Sequence, residues 1–205
     1  MPEAISMRIK FLPYIALSLF LPIISATSCG AAKSAGTLHA PAAIQETAAA
    51  MSVSSAGVIG GTLADAYGMR GQQQKDHVPT RSLPVSIKNA PAGTACYAVI
   101  MLDPDSKPLS GHVWVHWLAA NITTDSIAEN ASVDNAAGMV QGKNSFGAIG
   151  YGGPTPPDKP HTYEITVYAL DSKLDLVNGF SKDELLQAMD GHVLAQAVLD
   201  AKYNN

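Results

Sequence analysis

Three short segments hold most of the side chains able to do chemistry: Asp103-Pro-Asp105, His112-Val-Trp-Val-His-Trp-Leu118 and His161-Thr-Tyr163. A fourth, Gly150-Tyr-Gly-Gly-Pro-Thr-Pro-Pro157, lies just before the last of them. On a strand, alternate residues share a face. The second segment would then put His112, Trp114, His116 and Leu118 on one side and Val113, Val115 and Trp117 on the other. Trp114 becomes an aromatic wall beside the His116 imidazole. By the same alternation His161 and Tyr163 share a face, adding a second imidazole and a phenol hydroxyl. Glycines let backbone N–H groups approach a ligand closely, and successive free N–H groups can form an anion-binding concavity. Prolines stiffen that same loop, so less entropy is lost on binding. Two imidazoles, a phenol and a glycine-rich turn together suit a phosphate or another oxyanion. Asp103, at the end of an apolar run, could orient His116 by accepting its second ring N–H.

Each feature has a plainer reading. A single histidine is more often a satisfied core or surface residue, Asp before Pro commonly starts a turn, and a Gly/Pro segment can be no more than a stiff connection. Other chemistries are excluded by spacing. His112 and His116 on a strand stand ~13 Å apart, too far to share one zinc. An EF-hand starting at Asp103 would need Gly and Glu where Pro108 and Trp114 stand. The glycine loop lacks the Gly-Lys-Ser/Thr ending of a P-loop. No Gly-x-Ser-x-Gly elbow, positioned nucleophile or cysteine cluster is present. Acid–base chemistry by Asp, His and Tyr remains a minor alternative to binding.

The elements that must position these groups read mainly as strands. Leu83 to Lys88 alternates apolar and polar and ends at the turn Asn89–Gly93. Ala95 to Leu102 is nearly all apolar, as a strand buried on both faces would be. His112 to Ile122 and Thr162 to Leu170 are rich in β-branched and aromatic residues. Ser181-Lys-Asp-Glu184 is a capping box opening a helix that Gly191 ends. Val193, Leu194, Ala197, Val198 and Ala201 then fit one face of a second helix. The expected fold is a two-sheet antiparallel β-sandwich with peripheral C-terminal helices.

The whole chain has 205 residues, 47% hydrophobic and 15% charged, with a net charge of −4. That is material for one sizeable core. The lack of a basic footprint argues against nucleic acid as a partner. Arg8 and Lys10, the apolar run Phe11–Ile24 and the small residues Ala26, Thr27 and Ser28 have the pattern of a signal peptide over residues 1–28. The alternative is an uncleaved anchor, although the run is short for a transmembrane helix. The expected location is therefore secreted or periplasmic. Cys29 follows the cleavage site, where lipidation would tie the protein to a membrane without spanning it. Residues 29–52 read as a flexible linker rich in Ala, Ser, Thr and Gly, and residues 53–205 as the domain. Cys96 reads as a buried thiol.

In order and spacing, the set resembles the phosphatidylethanolamine-binding protein family, which includes the Raf kinase inhibitor proteins and their bacterial relatives. The resemblance is carried by Asp103-Pro-Asp105, Trp114-Val-His-Trp117, Asn144-Ser-Phe-Gly147, Gly150–Pro157, His161-Thr-Tyr163, Val167–Asp171 and Gly191–Ala195, across roughly residues 53–203. It implies a two-sheet β fold with a small pocket formed by Asp103, Trp114, His116, Gly153, Pro154, His161 and Tyr163. It also implies a binding protein without enzymatic activity, metal or cofactor. The ligand would be a phosphate-like or phospholipid head group, and a protease or kinase could be the target of inhibition. Two departures stand out. Ser106-Lys107 adds a residue before Pro108, and Thr162 replaces an arginine usual between the last His and Tyr.

Overall fold

The computed structural model describes residues 49–135 and 138–205. The expected signal peptide over residues 1–28, Cys29 and the expected linker up to residue 48 lie outside the described residues. Among the described residues the strands are β1 (Ser52–Ser54), β2 (Val58–Ile59), β3 (Thr62–Leu63), β4 (Gln74–Lys75), β5 (Val78–Pro79), β6 (Val85–Lys88), β7 (Cys96–Asp103), β8 (Trp114–Ile122), β9 (Ser126–Ile127), β10 (Val140–Gln141), β11 (His161–Leu170) and β12 (Val193–Tyr203). Three α-helices, α1 (Lys107–Ser110), α2 (Ala131–Asp134) and α3 (Lys182–Met189), and two single-turn 3-10 helices, Asp65–Tyr67 and Pro104–Ser106, complete the set. A seven-stranded sheet runs β10-β8-β7-β11-β12-β3-β2 and a three-stranded sheet runs β1-β6-β9, with β4 and β5 forming a separate hairpin. Pairing is antiparallel except between β12 and β3.

The apolar run at β7 is central in the large sheet because both of its faces are covered. Tyr97, Val99 and Met101 point into the core shared with the small sheet, against Val85, Ile87 and Ile127. Cys96, Ala98 and Ile100 point to the opposite side, where Leu174, Phe180, Leu185 and Met189 cover them. Helix α3 supplies the last two. Its capping box is formed as the sequence implies: Glu184 N–H donates to the Ser181 hydroxyl, and Ser181 N–H to the Glu184 carboxylate. Gly191, at φ 79°, follows its end.

The second expected helix is a strand. Residues 193–203 pair with β11 over ten positions, from His161 opposite Tyr203 to Leu170 opposite Val193. Ala197, Ala201 and Tyr203 are buried while Val198 and Leu194 are exposed, which is a period of two. The same apolar residues fit a helical face, but the long open edge of β11 offers a ladder of hydrogen bonds that local propensity cannot outweigh.

Candidate functional site

The site forms at one end of the large sheet, where β7, β8 and β11 stop side by side. Asp103 is the last residue of β7 and lies opposite Trp114, the first of β8. Regular alternation fails between them. Met101 pairs with Trp117 and Leu102 with Val115, so His116 is an extra residue, a β-bulge. A bulge re-aims side chains, and here it corrects the expected facing. Leu118 belongs to the core under α3 and Val115 packs against the same core, whereas Trp114 and His116 turn towards Asp103. His112 precedes the strand and stacks on Trp114, with ring centroids 5.5 Å apart.

His161 opens β11, and Tyr163 follows on the same face as the alternation requires. His116, His161, Asp103 and Tyr163 are 2%, 1%, 4% and 0% exposed, so each must find its partners inside the protein. The partners differ from expectation. Asp103 does not orient His116. Its Oδ2 accepts from His161 Nδ1 at 2.7 Å, and its Oδ1 accepts from Ser106 N–H at 3.1 Å. The reason is strand order: β7 lies between β8 and β11, and its terminal carboxylate turns to the β11 side. The second ring nitrogen of His161 meets Asp158 Oδ1 at 2.9 Å.

His116 Nδ1 lies 2.5 Å from the Gly152 carbonyl. A carbonyl can only accept, so Nδ1 carries the proton. Burial pushes the His116 pKa down to about 4, against the pull of Gly152 and of Asp103. The ring is therefore neutral near pH 7, and its Nε2 is an acceptor, not a donor. His161 differs. Burial works against its charge, but hydrogen bonds to Asp103 and Asp158 outweigh it and raise its pKa above the ordinary value. The Tyr163 ring lies between the two imidazoles, 5.1 Å from His116 and 6.4 Å from His161. Its hydroxyl is buried with no hydrogen-bond partner among the described residues, and burial with nearby Asp103 raises its pKa.

A cavity of about 230 Å³ opens above these groups. Asp103, Trp114, His116 and His161 line it, as do six residues outside the expected pocket set: Ser106, Leu109, Ser110, Phe146, Thr155 and Pro157. Phe146 meets both Trp114 and His116 edge-on, at 5.3 and 5.8 Å. Asn144 holds it there, its Oδ1 accepting from Phe146 N–H and Ala148 N–H and its Nδ2 donating to Gly150 O. The motif containing Phe146 was visible in the sequence, but not its reach across to Trp114. The inserted Ser106-Lys107 is absorbed as a coil of helix that forms the cavity's rim. The Ser106 hydroxyl donates to Asp103 O and accepts from Trp114 N–H.

Gly153, Pro154 and Tyr163 are not among the lining residues. The glycine loop does not offer the expected free amides. Gly150 N–H donates to Gly142 O, Tyr151 N–H to the Ser132 hydroxyl, Gly152 N–H to His116 O and Gly153 N–H to Pro79 O. Glycine is needed for close packing instead. A Cβ on Gly153 would stand 2.2 Å from Tyr67 O, and one on Gly152 would stand 2.6 Å from the Phe146 ring. Pro154 O accepts from Met69 N–H, and the fully buried Tyr163 ring packs beside both imidazoles. No Lys or Arg lines the cavity. Among the described residues no cluster of ligands suited to a metal ion occurs, and no helix is long and apolar enough to cross a membrane.

A family model for phosphatidylethanolamine-binding proteins matches residues 53–204. The YxkA protein of Bacillus subtilis is 39% identical over 135 residues, covering 60% of this chain and 80% of its own. Among solved structures, the homologue CT736 from Chlamydia trachomatis superposes with a TM-score of 0.66 at 33% identity, over 76% of this chain and 98% of its own. YbcL of E. coli, described as a member of the mammalian family, gives 0.66 at 29% identity, over 77% and 99%.

Proposed function

Because the chain belongs to the phosphatidylethanolamine-binding protein family, we propose that it is a secreted or periplasmic binding protein that holds a phosphate-bearing head group in the Trp114–His161 cavity and performs no chemistry on it. The observation that carries this reading is the split between two buried imidazoles. His116 offers a neutral acceptor at Nε2, while His161 is held towards its protonated, donating form. A phosphate monoanion matches both: its P–OH donates to His116, and an anionic oxygen accepts from His161 where it replaces one of the two carboxylates bonded to that ring. A diester head group has no P–OH and would have to bring an N–H of its own. Trp114, Phe146 and Pro157 supply apolar walls for the organic part.

Turnover is disfavoured by the hydroxyls at hand. Ser106 and Ser110 donate to backbone carbonyls, and among the described residues no hydroxyl of Ser106, Ser110 or Thr155 is bonded to an imidazole, so the cavity hydroxyls are not activated as nucleophiles. A second reading, inhibition of a protein target through the rim, is favoured by Leu109. This cavity-lining residue is 54% exposed, an apolar contact point beside the head-group site.

Calorimetry with phosphoethanolamine and with glycerophosphoethanolamine separates the monoester from the lipid diester. The monoester binds more tightly as pH falls from 8 to 5.5, because its own second pKa lies near ~6 while His116 stays neutral across that range. Equal affinity of wild type and His116→Ala would remove the assignment. The proposed location is tested by mass spectrometry of the mature chain, which should begin at or near Cys29.

A further inference from the structure

We infer that Asp158 is a built-in occupant of the anion position on His161, so that a phosphate ligand binds by exchanging with this carboxylate. The inference rests on the cavity being the head-group site, and it names the residue that sets affinity there. Its basis is the asymmetry of the two carboxylates on His161. Asp103 is fixed: its side chain is 6% exposed, it ends a strand, and its second oxygen is tied to Ser106 N–H. Asp158 is the opposite. Its side chain is 42% exposed, it sits three residues before His161 on the loop that supplies Thr155 and Pro157 to the cavity wall, and its carboxylate meets His161 Nε2 at 2.9 Å beside its own backbone N–H and that of Lys159.

The backbone at Asp158 stays in place independently, because its carbonyl accepts from Asn205 Nδ2 at 3.1 Å. Prolines at 156, 157 and 160 stiffen the loop on both sides. Rotation of one side chain towards solvent is therefore enough to free the His161 Nε2–H. An incoming phosphate oxygen then takes the place of the Asp158 oxygen, a like charge for a like charge, and His161 keeps two anionic partners throughout. With Asp158 inward, the ring has no donor left for a ligand. The affinity read in solution is thus the intrinsic affinity reduced by the fraction of molecules whose Asp158 is turned out. It is reduced again by the repulsion between two nearby anions.

The test is a titration of inorganic phosphate at pH 6 into wild type, Asp158→Asn, Asp158→Ala and His116→Ala, followed by calorimetry and by the 15N resonances of the His161 ring. Both Asp158 variants should bind about tenfold more tightly than wild type, the gain expected when one charged competitor hydrogen bond is removed. In wild type, phosphate should also shift the Asp158 13C carboxyl resonance towards that of a solvated aspartate. Unchanged or weaker binding by both Asp158 variants, with His116→Ala still impaired, would overturn the exchange and leave the cavity assignment standing. Absence of binding by all four proteins would overturn both.

Discussion

Replacing Asp103 with Asn tests the electrostatics of the site without changing its volume. The amide oxygen can still accept from Ser106 N–H, but the amide nitrogen, a donor, now faces His161 Nδ1 and cannot accept a hydrogen bond from it. His161 must then become neutral, accepting at Nδ1 and donating only to Asp158. Loss of one partner from a buried pair costs ~3–5 kcal/mol when nothing compensates. Here Asp158 remains and the ring can change tautomer, so the cost at pH 5.5 should be about 2 kcal/mol. For a domain of this size that lowers Tm by ~4–8 °C. The pH dependence gives the sharper check. The folded-state pKa of His161 lies above 6.5, so its charged partnership stabilises the wild type fully below the unfolded value. That stability is lost as pH rises through the folded value. The difference between wild type and Asp103→Asn should therefore shrink between pH 5.5 and pH 9. Urea unfolding followed by tryptophan fluorescence at both pH values gives both differences. A cost that is equal at the two ends, or larger at pH 9, would refute the assignment of charge to His161.

Other outcomes follow from the same geometry. Gly152→Ala forces a methyl into a space 2.6 Å from the Phe146 ring and 3.0 Å from Asn144 Nδ2; it should destabilise by ~1–3 kcal/mol and weaken head-group binding by displacing the aromatic wall, checked by thermal melting and calorimetry. 15N spectra of His116 should show protonated Nδ1 and bare Nε2 from pH 8 down to 5, and a titration midpoint near 6.5 would contradict the burial argument. Ser181→Ala removes a formed capping box and should cost ~1 kcal/mol with head-group affinity unchanged, which urea unfolding and calorimetry report together.

Sequence reasoning reads best where one local pattern has one outcome. The apolar run of β7 has to be covered on both faces, and the capping box at Ser181 has to start a helix. His161 and Tyr163 are two residues apart on an unbroken strand, so their common face follows directly. It fails where distant residues decide. Residues 193–203 satisfy both a period of 3.6 and a period of two, and only the free edge of β11 selects the strand. The bulge at His116 arises from the offset between Met101 and Leu102 on the neighbouring strand, invisible in the local pattern. The amides of the glycine loop look available because their acceptors, Pro79, His116 and Gly142, are remote or on another element. Asp103 was recognised as an orienting carboxylate, but which imidazole it serves is settled by the order of strands in the sheet.

The extra residue at His116 has a bearing on how such a domain can change length. Around Ser106 and Lys107 the chain coils at the surface, so an added residue there lengthens a rim and leaves the strands in step. Between Val115 and Trp117 there is no such slack. Deleting His116 would restore even alternation with Val115 still opposite Leu102 and Trp114 still opposite Asp103, and would take the neutral imidazole out of the cavity. Natural or engineered gaps should therefore accumulate at the first place and be missing from the second, even though only a few residues separate them.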